Sequence, residues 1–145
     1  MLIPEDRIRA GVLDPFSAVR CQALEYWRVA HLADPTVMPL VIDATMRYGH
    51  KESFSLLREA EHITQTAETV DWLMAEIDQP LDLDDVVEDN YRFALALILV
   101  AAEPALLIPR HKAILRLRNF PERLAARLDR RLRFSLLEWP ALWRL

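Results

Sequence analysis

Residues 93–102 are apolar without exception. This stretch of ten residues is too short to cross a bilayer, which takes roughly 20 residues in a helix. A helix that is apolar on every side must be covered on nearly every side. We therefore predict that residues 84–102 form a central helix, with other helices packed before and after it.

Asp-Pro pairs indicate where helices begin. Aspartate favours the N-cap, and proline is tolerated just after it because its missing N–H would have no helical partner there. Such pairs occur at Asp14-Pro15 and at Asp34-Pro35. Apolar residues recur between them at three- and four-residue steps, which predicts a helix over residues 16–33. Its predicted core face holds Phe16, Val19, Ala23, Trp27 and Ala30, and its predicted wet face holds Arg20, Glu25, Arg28 and His31.

Similar patterns predict further helices near residues 4–12, 35–48, 51–63, 66–78, 104–118 and 121–134. Thr66 is expected to cap one of them, and Gly49 to end another in a left-handed conformation. No segment alternates between apolar and polar residues as a strand does between turns. About eight helices with short joints imply antiparallel neighbours, so the predicted fold class is all-α.

The composition limits the possible classes of function. Only two glycines accompany nine prolines, which argues against phosphate-binding loops and tight hairpins. Cys21 is the only cysteine, so no disulfide can form within the chain and a reducing compartment is expected. The first residues turn acidic at once and lack the basic-then-apolar order of a signal peptide. We expect a soluble cytoplasmic protein that does not enter a membrane.

The starts of alternate predicted helices fall near residues 15, 50, 84 and 121, a period of about 35 residues. One helical pair cannot bury its apolar stripe alone, so pairs repeated at this spacing are typical of an α-solenoid. The predicted architecture is therefore a short stack of antiparallel helix pairs.

Two segments resemble HEAT repeats. Residues 14–24, Asp-Pro-Phe-Ser-Ala-Val-Arg-Cys-Gln-Ala-Leu, resemble the second helix of a repeat, and residues 34–44, with their internal Pro39, resemble the first helix of the next. Residues 50–53, His-Lys-Glu-Ser, depart from the pattern because they lack the Asp-Pro opening. The resemblance implies that Val19 and Ala23 lie in the core, that Asp14 serves the turn and cap, and that Arg20 pairs with carboxylates of neighbouring turns.

We predict a single HEAT-like domain over residues 1–145. The last ten residues, 136–145, are too apolar for a free tail. Either they pack back as a cap, or a longer protein continues beyond them. We favour the second alternative, because solenoids usually close with a helix whose outer face is polar.

Several groups of polar residues could form a metal site or a catalytic site, but each has a structural explanation. Glu59 and His62 form a Glu-x-x-His pair, yet a di-iron site needs a second copy that the sequence lacks, so a solvated helix end is favoured. The acidic stretch over residues 82–89 lacks the glycine and spacing of an EF-hand, which favours charge at a helix entry. Cys21 and the tryptophans are expected to be packing residues. We therefore assign no catalytic, cofactor-binding or metal-binding residues.

Arginines are concentrated near the end of the chain. Residues 1–102 carry 8 Lys and Arg against 18 Asp and Glu, whereas residues 103–145 carry 10 against 4. One stripe of the last predicted helix holds Arg123, Arg127, Arg130 and Arg131, and the opposite stripe holds Leu124, Leu128 and Leu132. In HEAT-like stacks the second helix of each pair lines the concave face, where such arginines would hold phosphates or an acidic partner. The alternative is a solvated face that balances the acidic residues.

We predict a non-enzymatic protein–protein interaction module or scaffold, with the four arginines as partner-binding residues and with no cofactor. The alternative is nucleic-acid binding through the arginine-rich C-terminal helix pair, in resemblance to HEAT-like DNA glycosylases. That alternative would need aromatic residues and a carboxylate beside the basic groove. A HEAT-like lyase, or a chaperone for a small chromophore or modified residue, is a third possibility.

Overall fold

The computed structural model describes residues 3–30, 33–80 and 85–138, and the side chains of all of these except residue 85 and residues 134–138. The chain divides into two compact units, Met1–Thr64 and Gln65–Leu145. Every regular element among the described residues is helical, and none is a strand. The predicted all-α class is therefore confirmed.

The first unit contains α1 (Glu5–Gly11), α2 (Ser17–Ala30), α3 (Val37–Tyr48) and α4 (His50–Glu59). Helix α2 packs against α1 and α4, and α4 also packs against α3. Gly11 allows the close approach of α1 to α2, because a Cβ at this position would lie 2.9 Å from the Cβ of Ala23. The core of this unit includes Leu24, Trp27, Val41 and Leu56, all nearly or completely buried.

The two Asp-Pro pairs form turns ahead of their helices. The Oδ1 atom of Asp14 accepts a hydrogen bond from the N–H of Phe16 at 2.9 Å, and Oδ1 of Asp34 accepts one from Thr36 at 2.9 Å. The following helices begin at Ser17 and at Val37. The prolines were predicted to be the first helical residues, which is wrong, because both lie two residues ahead of the helix.

The buried side of α2 is not the one that the apolar spacing predicts. Trp27 is buried as predicted, but Phe16 is 73% exposed, Val19 is 41% exposed and Ala30 is also exposed, so the predicted core positions of these three residues are wrong. Arg20 was predicted on the wet face but is only 1% exposed. Its burial is compensated because its guanidinium donates to backbone carbonyls, and not to carboxylates as the HEAT resemblance implied.

The second unit contains α5 (Ala67–Asp78), α6 (Asp85–Ala101), α7 (Pro104–Leu107), a 3-10 turn (Ile108–Arg110), α8 (His111–Leu115) and α9 (Glu122–Glu138). Helix α6 packs against α5 and α9. Residues 94–100 of α6 are buried apart from the half-buried Leu97, which confirms that the apolar helix is covered. The helix predicted over residues 104–118 is interrupted, because Pro109 lacks the N–H that a continuous α-helix needs.

The predicted end of α3 at Gly49 and the predicted N-cap at Thr66 are confirmed, but the left-handed helical conformation predicted for Gly49 is wrong. Gly49 ends α3 with φ +88° and ψ 168°, a combination that is essentially confined to glycine, although its ψ lies outside the left-handed helical region. Thr66 caps α5: its hydroxyl accepts from the N–H of Thr69 at 3.3 Å, and the Thr69 hydroxyl accepts from the N–H of Thr66 at 2.8 Å. This reciprocal pair is a capping box.

None of the described helices is long and apolar enough to cross a membrane by itself. The consecutive segments Val86–Ala101 and Pro104–Leu115 meet the requirement only when they are taken together, with a bend of 111° between them.

Candidate functional site

The four arginines predicted to bind a partner do not share one environment. Arg123, Arg127 and Arg130 are exposed on α9, whereas Arg131 is only partly exposed. At about 100° per residue, the first three lie within about 60° of one another around the helix axis, while Arg131 lies closer to the leucine side. The predicted stripe is therefore confirmed for three of the four arginines.

Arg131 contacts the backbone at the end of α6. Its Nη1 atom donates to the carbonyl of Val100 at 2.6 Å and also to the carbonyl of Ala102. Carbonyls at a helix C-terminus lack N–H partners within the helix, so the guanidinium satisfies them. Burial lowers the pKa of Arg131 from its ordinary high value. We conclude that Arg131 stabilises the end of α6 and does not belong to the exposed stripe.

The opposite side of α9 faces the core as predicted. Leu124 is 4% exposed, and Leu128 and Leu132 are completely buried. Arg133 is exposed one turn beyond Arg130 and was not predicted as a site residue. We call Arg123, Arg127, Arg130 and Arg133 the arginine face. Within the described part of the chain, Arg127, Arg130 and Arg133 make no hydrogen bond or ion pair.

Arg123 lies at one end of the arginine face and stacks on an aromatic ring. Its guanidinium carbon is 4.2 Å from the centroid of the Phe93 ring, which belongs to α6. A cleft of about 440 Å³ opens beside this stack, between α6 and the start of α9. We call it the α6–α9 cleft. Its other lining residues include Asp89, Asn90, Arg92, Asn119 and Phe120.

Arg92 contributes a buried guanidinium to the wall of the α6–α9 cleft. The residue is 9% exposed, and its Nη2 atom donates to Glu88 Oε1 at 2.5 Å and to the carbonyl of Gln79 at 2.7 Å. Its Nε atom is buried and has no hydrogen-bond partner among the described residues. Four other buried side-chain atoms among the described residues share this status, including Nε of Arg20, so the atom does not by itself indicate a bound ligand.

A second cleft, of about 490 Å³, is lined by Arg28, Arg58, Glu59 and His62 among others. Glu59 pairs with Arg28 Nε at 3.1 Å, and His62 is exposed. Among the described residues, no group of three or more His, Cys, Asp and Glu side chains could hold a metal ion. The interpretation of the Glu-x-x-His pair as a solvated helix end agrees with this arrangement.

The other polar candidates also have local explanations. Residues 82–84 of the acidic stretch lie outside the described residues, and Glu88 pairs with Arg92 one turn further along α6. Cys21 is half-buried, and burial raises the pKa of its thiol, so it lacks the activation expected of a nucleophile.

Comparisons with family models, with curated proteins and with solved structures find no match for this chain.

No motif in the sequence indicates the α6–α9 cleft. Phe93 was assigned only to the apolar run, and Asn90 and Asn119 belong to no motif. The one available signal was the arginine stripe itself, because Arg123 starts it and also borders the cleft.

Proposed function

We propose that this chain is a non-enzymatic protein-interaction module that recognises an acidic segment of a partner on the arginine face of α9. The observation that carries the proposal is the exposure of Arg127, Arg130 and Arg133 on one side of this helix, with no internal partner among the described residues. Guanidinium groups form charge-assisted, often bidentate hydrogen bonds with carboxylates. Arginine is also enriched at protein interfaces.

The HEAT-like α-solenoid forms part of the same proposal. In this arrangement the helix pairs stack side by side in one domain, and α9 lies on the concave surface. Support comes from the packing of consecutive helices within each unit, α3 against α4 in the first and α5 against α6 in the second. We also propose a cytoplasmic location, because a single cysteine that can form no disulfide within the chain suits a reducing compartment.

The proposal is tested by capture of partners from a native extract on the immobilised chain. We expect a set of captured proteins that is lost when Arg127→Glu and Arg130→Glu are combined, because two attractive contacts become repulsive. The matched control combines Arg7→Glu and Lys51→Glu, which changes the charge equally at two exposed positions of the first unit. Circular dichroism should show unchanged helicity in both variants. Capture that survives the α9 variant, or that falls equally in the control, contradicts the proposal.

A specific observation also supports the alternative of nucleic-acid binding. Exposed cations occur within residues 112–118, just before α9, and the α6–α9 cleft brings Phe93, Phe120 and Asp89 beside Arg123. This is the combination of aromatic residues and a carboxylate that the resemblance to HEAT-like DNA glycosylases requires. Labelled duplex DNA titrated at low salt should then bind, with an affinity that falls steeply as salt rises. An absence of binding at tens of micromolar would remove this alternative.

A further inference from the structure

Building on the proposed function, we infer that the α6–α9 cleft is the specificity pocket of the peptide site. The geometry points to an extended acidic peptide whose carboxylate binds Arg123 and whose backbone binds Asn90 and Asn119. The rest of the peptide then follows the arginine face along α9.

Arg123 stacks on Phe93, with its guanidinium carbon 4.2 Å from the ring centroid. The ring covers one side of the guanidinium. A stacked guanidinium is pre-organised, so it loses less conformational entropy when it forms two parallel hydrogen bonds with a carboxylate. Arg127 and Arg130 have no such ring contact within the described part of the chain.

Two asparagines, Asn90 and Asn119, lie in the wall of the cleft. A primary amide offers both an acceptor oxygen and donor N–H groups, which match the N–H and the C=O of a peptide group. The Nδ2 atom of Asn119 points to the carbonyl of Ile77 at 3.4 Å, which leaves its Oδ1 atom available for a peptide N–H.

The charges and aromatic groups of the cleft favour a peptide over a nucleic acid. Glu88 already neutralises Arg92, and Asp89 also lines the cleft with Arg123, so the local charge is close to balanced. The backbone of a nucleic acid carries no N–H donor for the amide oxygens of Asn90 and Asn119, whereas the backbone of a peptide does. One face of Phe93 is already covered by Arg123 and is not available for stacking on a base.

The spacing of the arginines fits an extended chain. Arg123 and Arg127 are four residues apart, which corresponds to about 6 Å along a helix axis. Alternate side chains of an extended peptide point the same way and are about 6.6 Å apart. A peptide with acidic residues at every second position would therefore place two of its carboxylates at Arg123 and Arg127. The inferred ligand class is an extended segment with alternating acidic residues.

The test uses a fluorescein-labelled eight-residue peptide of alternating Glu and Ser, with the Gln-Ser peptide and an eight-nucleotide single-stranded DNA as competitors. Binding to the full chain is measured by fluorescence anisotropy. We expect Phe93→Leu to weaken binding by about tenfold, because it removes the stack that orients Arg123. Asn90→Ala should weaken it by roughly threefold to tenfold. The matched control is Phe54→Leu, which removes the contact of Arg58 with Phe54 in the first unit and should leave binding unchanged.

The possible outcomes separate this inference from the proposed function. If the Glu-Ser peptide does not bind the wild-type chain, or if it binds Phe93→Leu and Asn90→Ala as well as wild type, the inference is wrong. Stronger competition by the DNA than by unlabelled Glu-Ser peptide also overturns it, in favour of a nucleic acid. A further outcome is that the variant that combines Arg127→Glu and Arg130→Glu loses the native partners while Phe93→Leu and Asn90→Ala still bind the peptide as wild type does. In that case the proposed function stands, but the α6–α9 cleft is not its specificity pocket.

Discussion

Helices α2 and α9 distribute arginine and apolar side chains in opposite ways. In α2, Arg20 is 1% exposed while Val19 is 41% exposed. In α9, Leu128 is completely buried while Arg127 is exposed. What differs is the set of groups facing each arginine, because Arg20 donates to three backbone carbonyls and Arg127 donates to none among the described residues. The comparison teaches that the acceptors within reach decide whether an arginine is buried.

The surroundings of Arg20 show how its burial is compensated. Its Nη1 atom donates to the carbonyls of Asp14 at 2.8 Å and Pro15 at 3.0 Å, and Nη2 donates to the carbonyl of Glu52 at 3.3 Å. Its guanidinium also lies over the ring of Tyr48, 4.2 Å from the centroid. One side chain thus connects the turn before α2 with the first turn of α4.

Among the arginine substitutions, the largest expected effect is that of Arg20→Ala. It would leave three carbonyls without their charged donor, and we expect the free energy of unfolding to fall by about 3 kcal/mol. The matched substitution Arg127→Ala should change it by no more than about 0.5 kcal/mol, as is usual for exposed positions. Urea unfolding followed by circular dichroism measures both. A loss below about 1 kcal/mol for Arg20→Ala would remove the distinction between the two helices.

A smaller effect is expected within α9 itself, where neighbouring arginines differ. Arg131→Ala removes hydrogen bonds to the carbonyls at the end of α6, and we expect it to cost about 1–2 kcal/mol because the site is partly exposed. Arg130→Ala should cost less than about 0.5 kcal/mol. The same urea experiment compares them. Equal losses for the two variants would contradict the separation of Arg131 from the arginine face.

A pH effect is expected in the first unit, where an arginine is paired at the surface. Hydrogen bonds from Thr36, followed by the contact with Arg9, lower the pKa of Asp34. The charged form is therefore favoured in the folded state, so its contribution is present above the unfolded pKa and is lost as pH falls below about 4. In Asp34→Asn the thermal midpoint should fall less between pH 7 and this acidic range than in wild type. An identical fall in both proteins would show that Asp34 is not responsible.

The smallest effect is expected on the outer side of α2. Val19→Ser should change the free energy of unfolding by no more than about 0.5 kcal/mol, because Val19 is 41% exposed. Leu24→Ala on the buried side of the same helix should cost about 2–5 kcal/mol. Thermal unfolding of the two variants gives the comparison. A large loss for Val19→Ser would restore the core position that the HEAT resemblance implied.

The two helices also show how far the sequence can predict this fold. The leucine stripe of α9 and the burial of residues 94–100 of α6 follow from apolar spacing alone. No arginine takes the place of an apolar side chain at these buried positions, as Arg20 does in α2. Arg20 could not be assigned to the core, since its acceptors at Asp14, Pro15 and Glu52 come together only after folding. The interruption at Pro109 had a signal in the sequence, because a proline inside a predicted helix removes a hydrogen bond. For the cleft the sequence offered only the arginine stripe, since Phe93 and Arg123 meet only in three dimensions.

The contact between α1 and α2 has a consequence for how this chain can vary. A methyl group at Gly11 would overlap the Cβ of Ala23, so these two positions share a fixed volume. Growth at one of them is compatible with the present helix spacing only if the other shrinks. We therefore expect substitutions at Gly11 and Ala23 to be correlated in related chains, and an exchange that places alanine at 11 and glycine at 23 to preserve the spacing.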